Sequence, residues 1–226
     1  MAEHYDLIIE NGVAVLPSGR AEARIGIRDG RIASLDARGD GAEIFDAKGL
    51  HVLPGLIDPH VHFRDSGMAE LPAIETMETG TRGAVLGGIT TIFDMPNTSR
   101  PAIDSESLAI KREHVPGNAW CDVGFYVGAT KGNIEALAAL ESEPGVCAIK
   151  VFAGSSTGTL LVEDDASIER VMRSGHRRIA FHSEDEQRLQ ERRKLFAPGD
   201  AYARHAEWRD PECAFLGTRR ITALAR

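Results

Sequence analysis

The sequence predicts an α/β fold: a small β-rich unit, then repeated strand–helix units whose strands form a parallel sheet, open or closed into a barrel. Three observations predict it. Glycine-punctuated β-rich runs fill residues 1–52. From residue 53 onward, apolar runs of strand length alternate with helix-length segments. The strands of that second part start about 25–35 residues apart, the length of a βαβ unit.

The first part contains "YDLIIENGVAVLPSG", "ARIGIRDGRIASLDA" and "AEIFDAKGLHVL". The pairs Asn11-Gly12, Ser18-Gly19 and Asp29-Gly30 supply turn positions with positive φ. Residues 1–52 therefore read as a small antiparallel β unit, too small to be securely stable alone.

Five strands follow: "VLPGLIDPHVH", "GITTIFDMP", "CDVGFYVGA", "CAIKVFAG" and "RIAFHSE". They are nearly continuous apolar runs, as expected of parallel strands covered on both faces. Between them lie "LPAIETMETGTRGAVLG", "SESLAIKREHV", "GNIEALAALES" and "DDASIERVMRSG". Leu108 and Ile110 stand apolar among charges in the second segment, with Ile103 just before it, and Ile134, Leu137 and Leu140 recur at a helical period in the third. A closed eight-unit barrel takes about 250 residues, whereas about 170 follow the β unit. The end, "LGTRRITALAR", reads as an unfinished helix without a capping glycine. The chain is expected to stop before its barrel closes, leaving unpaired edges on the first and fifth strands.

Composition excludes several functions. The formal charge of −8 leaves no basic footprint for nucleic acid. Cys121, Cys147 and Cys213 are scattered and odd in number, so they read as free thiols in a reducing cytoplasm. No signal peptide or spanning apolar run is visible, so no membrane partner is expected. A homo-oligomer is expected for the full-length protein.

Candidate chemistry sits at strand ends, where sites in parallel α/β folds gather. In "DPHVHFRD", alternation puts His60 and His62 on one face and Val61 on the other. Paired imidazoles suit zinc and similar metals, or are two partly exposed loop histidines. Lys150 lies inside the apolar run "CAIKVFAG". Its head reaches water, pairs with a carboxylate, or is converted to an anion used as an oxygen ligand. His182 ends the fifth strand. Ser183 and Glu186 have capping-box spacing, and Glu184 and Asp185 suit a first helical turn. "KVFAGSSTGTL" is either an anion cradle or a flexible loop.

Together "GLIDPHVHFRD", "GGITTIFDMPNTSRP", "AIKVFAGSSTG" and "AFHSEDE" resemble the amidohydrolase superfamily, and within its cyclic-amidohydrolase branch the dihydroorotases. The resemblance runs over essentially the whole chain. It implies a (β/α)8 TIM-type barrel, here partial with about five βα units, preceded by a small β-sandwich portion. The expected division is 1–52 and 53–226. It implies two zinc ions per site, with His60 and His62 on the first, carboxylated Lys150 bridging both, and His182 on the second. Such metals lower the pKa of water and polarise a ring amide carbonyl. The resemblance implies reversible ring opening of dihydroorotate to N-carbamoyl-aspartate in pyrimidine biosynthesis.

The same resemblance places Arg64 and Asn97 on the substrate carboxylate. A surface ion pair of Arg64 with Asp65, and a turn role for Asn97 after Pro96, are the plain alternatives. The proton-shuttling aspartate after strand eight and the histidine after strand six would fall beyond Arg226. No catalytic acid is therefore identified in the chain, and residues 1–226 alone are expected to be inactive. Two other readings stand. One is an allantoinase or a hydantoinase of the dihydropyrimidinase type. The other is a non-catalytic assembly partner, against which retention of the four metal-type residues argues.

Overall fold

A computed structural model of the protein describes residues 3–68, 75–155 and 158–226. The chain divides into two compact units, Met1–Gly55 and Leu56–Arg226.

The first unit is a five-stranded sheet of β1 (His4–Leu16), β2 (Gly19–Arg28), β3 (Arg31–Ser34), β4 (Asp40–Asp46) and β5 (His51–Val52). Ser18-Gly19 and Asp29-Gly30 turn the chain as the sequence predicts, with Asp29 and Gly30 both at positive φ. Two expectations need correcting. Asn11-Gly12 does not break the strand: β1 runs through it as a bulge, with Asn11 at φ 63° and its amide on Asp46 Oδ1 at 2.9 Å. The sheet is also mixed rather than antiparallel. β1 pairs antiparallel with β2 but parallel with β4 and β5. Arg24 braces the crossover: its guanidinium holds the Ala37 and Gly39 carbonyls and the Glu10 carboxylate.

The second unit is a curled parallel sheet of β6 (Leu56–Val61), β7 (Ile89–Asp94), β8 (Asp122–Gly128), β9 (Val146–Phe152) and β10 (Ile179–His182), each beside its sequence neighbour. This half-barrel matches the five predicted βα units. One face of β9 sends Ile149 and Val151 into the main core with Ile92, Leu108, Val127, Ile168 and Val171. From the other face Ala148 joins Met95 and Tyr126.

The covering helices are α1 (Met77–Leu86), α2 (Ser105–His114), the single turn α3 (Leu137–Leu140) and α4 (Asp165–Ser174). Beyond β10 lie α5 (Glu186–Arg193), the short α6 (His205–Trp208) and α7 (Pro211–Leu224). Side-chain caps start the longer ones: Thr76, Asp104, Asp164, Asp185 and Asp210 each accept a backbone amide three residues on. Residues 71–74 of the segment expected to be the first helix lie outside the described residues. The third segment is a 3-10 turn (Ile134–Ala136) plus α3, although Ile134, Leu137 and Leu140 are all buried as their spacing predicts. No helix among the described residues is long and apolar enough to cross a membrane.

Candidate active site

β6 delivers His60 at its end and His62 just past it, and their Nε2 atoms converge to 3.0 Å. His62 Nδ1 lies 2.8 Å from the Asn97 side-chain amide, on the loop after β7. The neighbours fix that amide's orientation. With its nitrogen toward His62 Nδ1, its oxygen accepts from both terminal nitrogens of Arg64 at 3.2 Å, and no donors oppose each other. The bonds then run in one sense. Arg64 donates to Asn97, Asn97 to His62, and His62 Nε2–H to His60 Nε2. Arg64 reaches Asn97 from a left-handed backbone conformation, φ 65°, and also donates to the Asn97 backbone carbonyl at 3.0 Å.

Arg64 does not pair with Asp65. The buried Asp65 carboxylate instead accepts the Gly67 amide at 2.9 Å and the Met77 amide at 2.8 Å, with His114 Nε2 at 3.2 Å. Burial alone would raise this carboxyl's pKa, but the two amides and His114 outweigh it and hold it below its ordinary value. Asp65 thus ties the loop that follows the histidines to the first turn of α1.

Lys150 is 1% exposed on β9, and its Nζ sits 5.0 Å from the centre of the Phe152 ring. Among the described residues no carboxylate lies within ion-pair distance of it. Burial pushes its pKa down to about 8. The other buried lysine, Lys111, is built differently: its Nζ meets Asp94 Oδ2 at 2.5 Å. Of the sequence-level readings of Lys150, pairing with a carboxylate is therefore not realised.

His182 pairs in register with Phe152 across β9 and β10, and the two rings stack at 6.1 Å. His60 is held below its ordinary pKa by partial burial first, then by the Lys150 charge and His182, against the pull of Asp58. His62 is lowered likewise, first by burial. These effects mark His60, His62, Lys150 and His182 as electrostatic neighbours at one end of the sheet.

Two expected features differ. Ser183 does not cap α5; its hydroxyl bonds Thr218, and Asp185 is the cap, because its carboxylate reaches the Arg188 amide at 2.8 Å. The anion-cradle reading of "KVFAGSSTGTL" finds the Ser155 amide already bonded to Glu186 Oε2 at 2.8 Å, and residues 156–157 lie outside the described residues. Sequence reading also missed a pair beside His182. Glu184 Oε2 lies 2.5 Å from His182 Nε2, and Arg209 clasps the same carboxylate. The only signal for Glu184 was its place two residues after a strand-end histidine; nothing marked Arg209.

Among the described residues, no three His, Cys, Asp or Glu side chains gather closely enough to hold a metal. A metal on His60 and His62 therefore needs a donor of another kind. Two converging imidazole nitrogens 3.0 Å apart fit one small cation with metal–nitrogen distances of about 2.0–2.1 Å. A Lys150 carbamate is the oxygen donor that the sheet could supply.

A family model described as "Amidohydrolase family" matches residues 51–203. An allantoinase of Desulfitobacterium hafniense is 40% identical over 153 residues, covering 66% of this chain and 33% of the relative. An allantoinase of Bacillus licheniformis is 37% identical over 178 residues, covering 75% and 39%. The match thus spans little more than a third of these relatives' length. The L-hydantoinase (dihydropyrimidinase) of Arthrobacter aurescens has the same fold, with a TM-score of 0.86 at 24% identity over 97% of this chain and 50% of that one. A D-hydantoinase structure superposes with a TM-score of 0.81 at 28% identity, covering 97% and 49%.

Proposed function

The chain belongs to the amidohydrolase family, and on that footing we propose that the protein hydrolyses a cyclic amide of the allantoin or hydantoin class with the help of zinc. The allantoinase and hydantoinase relatives support this ring class over dihydroorotate. In this proposal His60 and His62 would hold one metal, His182 would hold a second, and carboxylated Lys150 would supply its oxygens to the pair. The observation that carries it is Lys150: a buried lysine without a carboxylate partner among the described residues, on the same sheet end as two converging histidines.

Zinc, when bound, lowers the pKa of water and polarises a ring carbonyl. The chain's own residues prepare the rest. Burial lets Lys150 offer a neutral amine near pH 8, which adds carbon dioxide, loses a proton and becomes a carbamate anion. The carbamate replaces a costly buried ammonium with two oxygen donors. A metal on His62 Nε2 would move that ring's proton to Nδ1, and Asn97 would then turn its amide over to present its oxygen there, leaving Arg64 on the backbone carbonyl. Arg64, anchored on Asn97, points its remaining donors at a ring carbonyl or carboxylate. Further parts of the proposal are a cytoplasmic location and assembly into a homo-oligomer.

The test is turnover by zinc-loaded full-length protein on allantoin, hydantoin, a dihydropyrimidine and dihydroorotate. Highest kcat/KM on the first two is expected. Preference for dihydroorotate would restore the dihydroorotase reading. A protein that binds no metal and turns over none of the four would be the non-catalytic assembly partner.

A further inference from the structure

We propose that Glu184 and Arg209 form a positioning pair that fixes the His182 ring and presents its Nδ1 as the free nitrogen; the inference rests on the metal-site reading above. His182 Nε2 and Glu184 Oε2 are 2.5 Å apart. A carboxylate only accepts, so the proton in that contact belongs to Nε2. Arg209 donates Nε to Glu184 Oε1 at 2.9 Å and Nη2 to Oε2, neutralising the carboxylate. Arg209 Nη2 is also 3.3 Å from His182 Nε2, a longer contact between two groups that share the same acceptor oxygen. Among the described residues no hydrogen bond takes His182 Nδ1, so its lone pair is the one left for a ligand. A ligating imidazole that gives its other N–H to a carboxylate is held in one tautomer and one orientation.

The backbone around this pair is locked as well. A Cβ at Gly217 of α7 would run into the Ser183 carbonyl, and a Cβ at Gly154 into the Glu184 carbonyl. The segment carrying Glu184 is thus clamped between α7 and the loop after β9. Asp185 adds its amide to the Cys213 carbonyl at 2.9 Å, and Arg188 and Asp210 join α5 to the start of α7. The stretch Arg209–Gly217, distant in sequence from every motif, buttresses one ligand position.

Two measurements test this on the full-length protein. In metal-free protein, nitrogen-15 shifts of His182 should show the proton on Nε2; a proton on Nδ1 would overturn the proposal without any variant. In chelator competition with zinc and cobalt, Glu184→Gln should weaken one of two bound metals about 10–100-fold and leave the other unchanged. Arg209→Met should do the same to a smaller extent, while Arg209→Lys restores most of the loss. Folded Glu184→Gln protein that holds both metals as tightly as wild type would also overturn it. A wild-type protein that binds neither metal would instead sink the functional reading, and the nitrogen shifts would still decide the role of Glu184.

Discussion

Lys150 Nζ stands 5.0 Å from the centre of the Phe152 ring, whose own plane stacks on His182. A ring face is a weak partner for a buried ammonium, worth on the order of 2 kcal/mol when desolvated, against several for the lost hydration. The contrast with Lys111 on its Asp94 carboxylate shows how this fold stabilises a buried lysine when only structure is at stake. Among the described residues Lys150 has no such partner, and it lies among residues of metal-ligand type.

Unmodified, metal-free protein should therefore be less stable at pH 7 than its Lys150→Met variant. Burial lowers the folded-state pKa from 10.5 to about 8. Between those values the unfolded chain binds more protons, so wild-type stability rises with pH across that window. The variant's advantage should reach at most about 3 kcal/mol below pH 8 and vanish near pH 10.5. Urea unfolding at pH 7 and pH 10 measures it. Equal stability of the two proteins at pH 7 would mean that Lys150 is not a buried cation.

Lys111→Met should behave in the opposite way. It strands Asp94, which is wholly buried and has Oδ1 without a partner among the described residues. A loss of about 3–5 kcal/mol is expected. The double variant Asp94→Leu/Lys111→Met should recover most of it, because no charge then stays buried. Denaturant midpoints of the three proteins give the answer, and a mild single variant would contradict the pair's structural role.

The five barrel strands were legible because buried parallel strands are unbroken apolar runs, and β9 is buried at nearly every position. His60, His62, Lys150 and His182 were legible for a related reason: polar residues in or just after such runs have few structural explanations. The parallel pairing of β4 with β1 was not legible, since a short strand's partner depends on the path of the connection, here braced by Arg24, and not on its own pattern. Glu184 was hidden because an acid just before a helix has an ordinary explanation. Arg209 acts from 27 residues beyond His182, a proximity that only the docking of α7 creates.

Arg64→Ala should separate the two ring classes. Its guanidinium is anchored on Asn97, by the backbone carbonyl and the side-chain oxygen, and retains its Nε and one Nη2 hydrogen for substrate. Loss of a forked contact to a carboxylate should lower kcat/KM on dihydroorotate by about 100-fold or more. On uncharged hydantoin the decrease should stay within roughly tenfold, the scale of one neutral hydrogen bond. Equal losses on both rings would place Arg64 in the architecture of the site, through Asn97, and not on the substrate.

Two glycine-to-alanine changes test how tightly the Glu184 segment is clamped. Gly83, inside α1, has open space where a Cβ would go, so Gly83→Ala should stabilise the protein by about 0.5–1 kcal/mol through helix propensity alone. Gly217 lies inside α7 and gains the same propensity, but its new methyl would meet the Ser183 backbone. Backbone cannot rotate aside as a side chain does, so α7 or the segment must shift. Gly217→Ala should cost about 1–3 kcal/mol and, because that segment carries Glu184, should also weaken binding of the metal assigned to His182. Thermal unfolding and metal titration of both variants read the two effects separately. A Gly217→Ala protein as stable as wild type would show that α7 does not press on the strand-end segment.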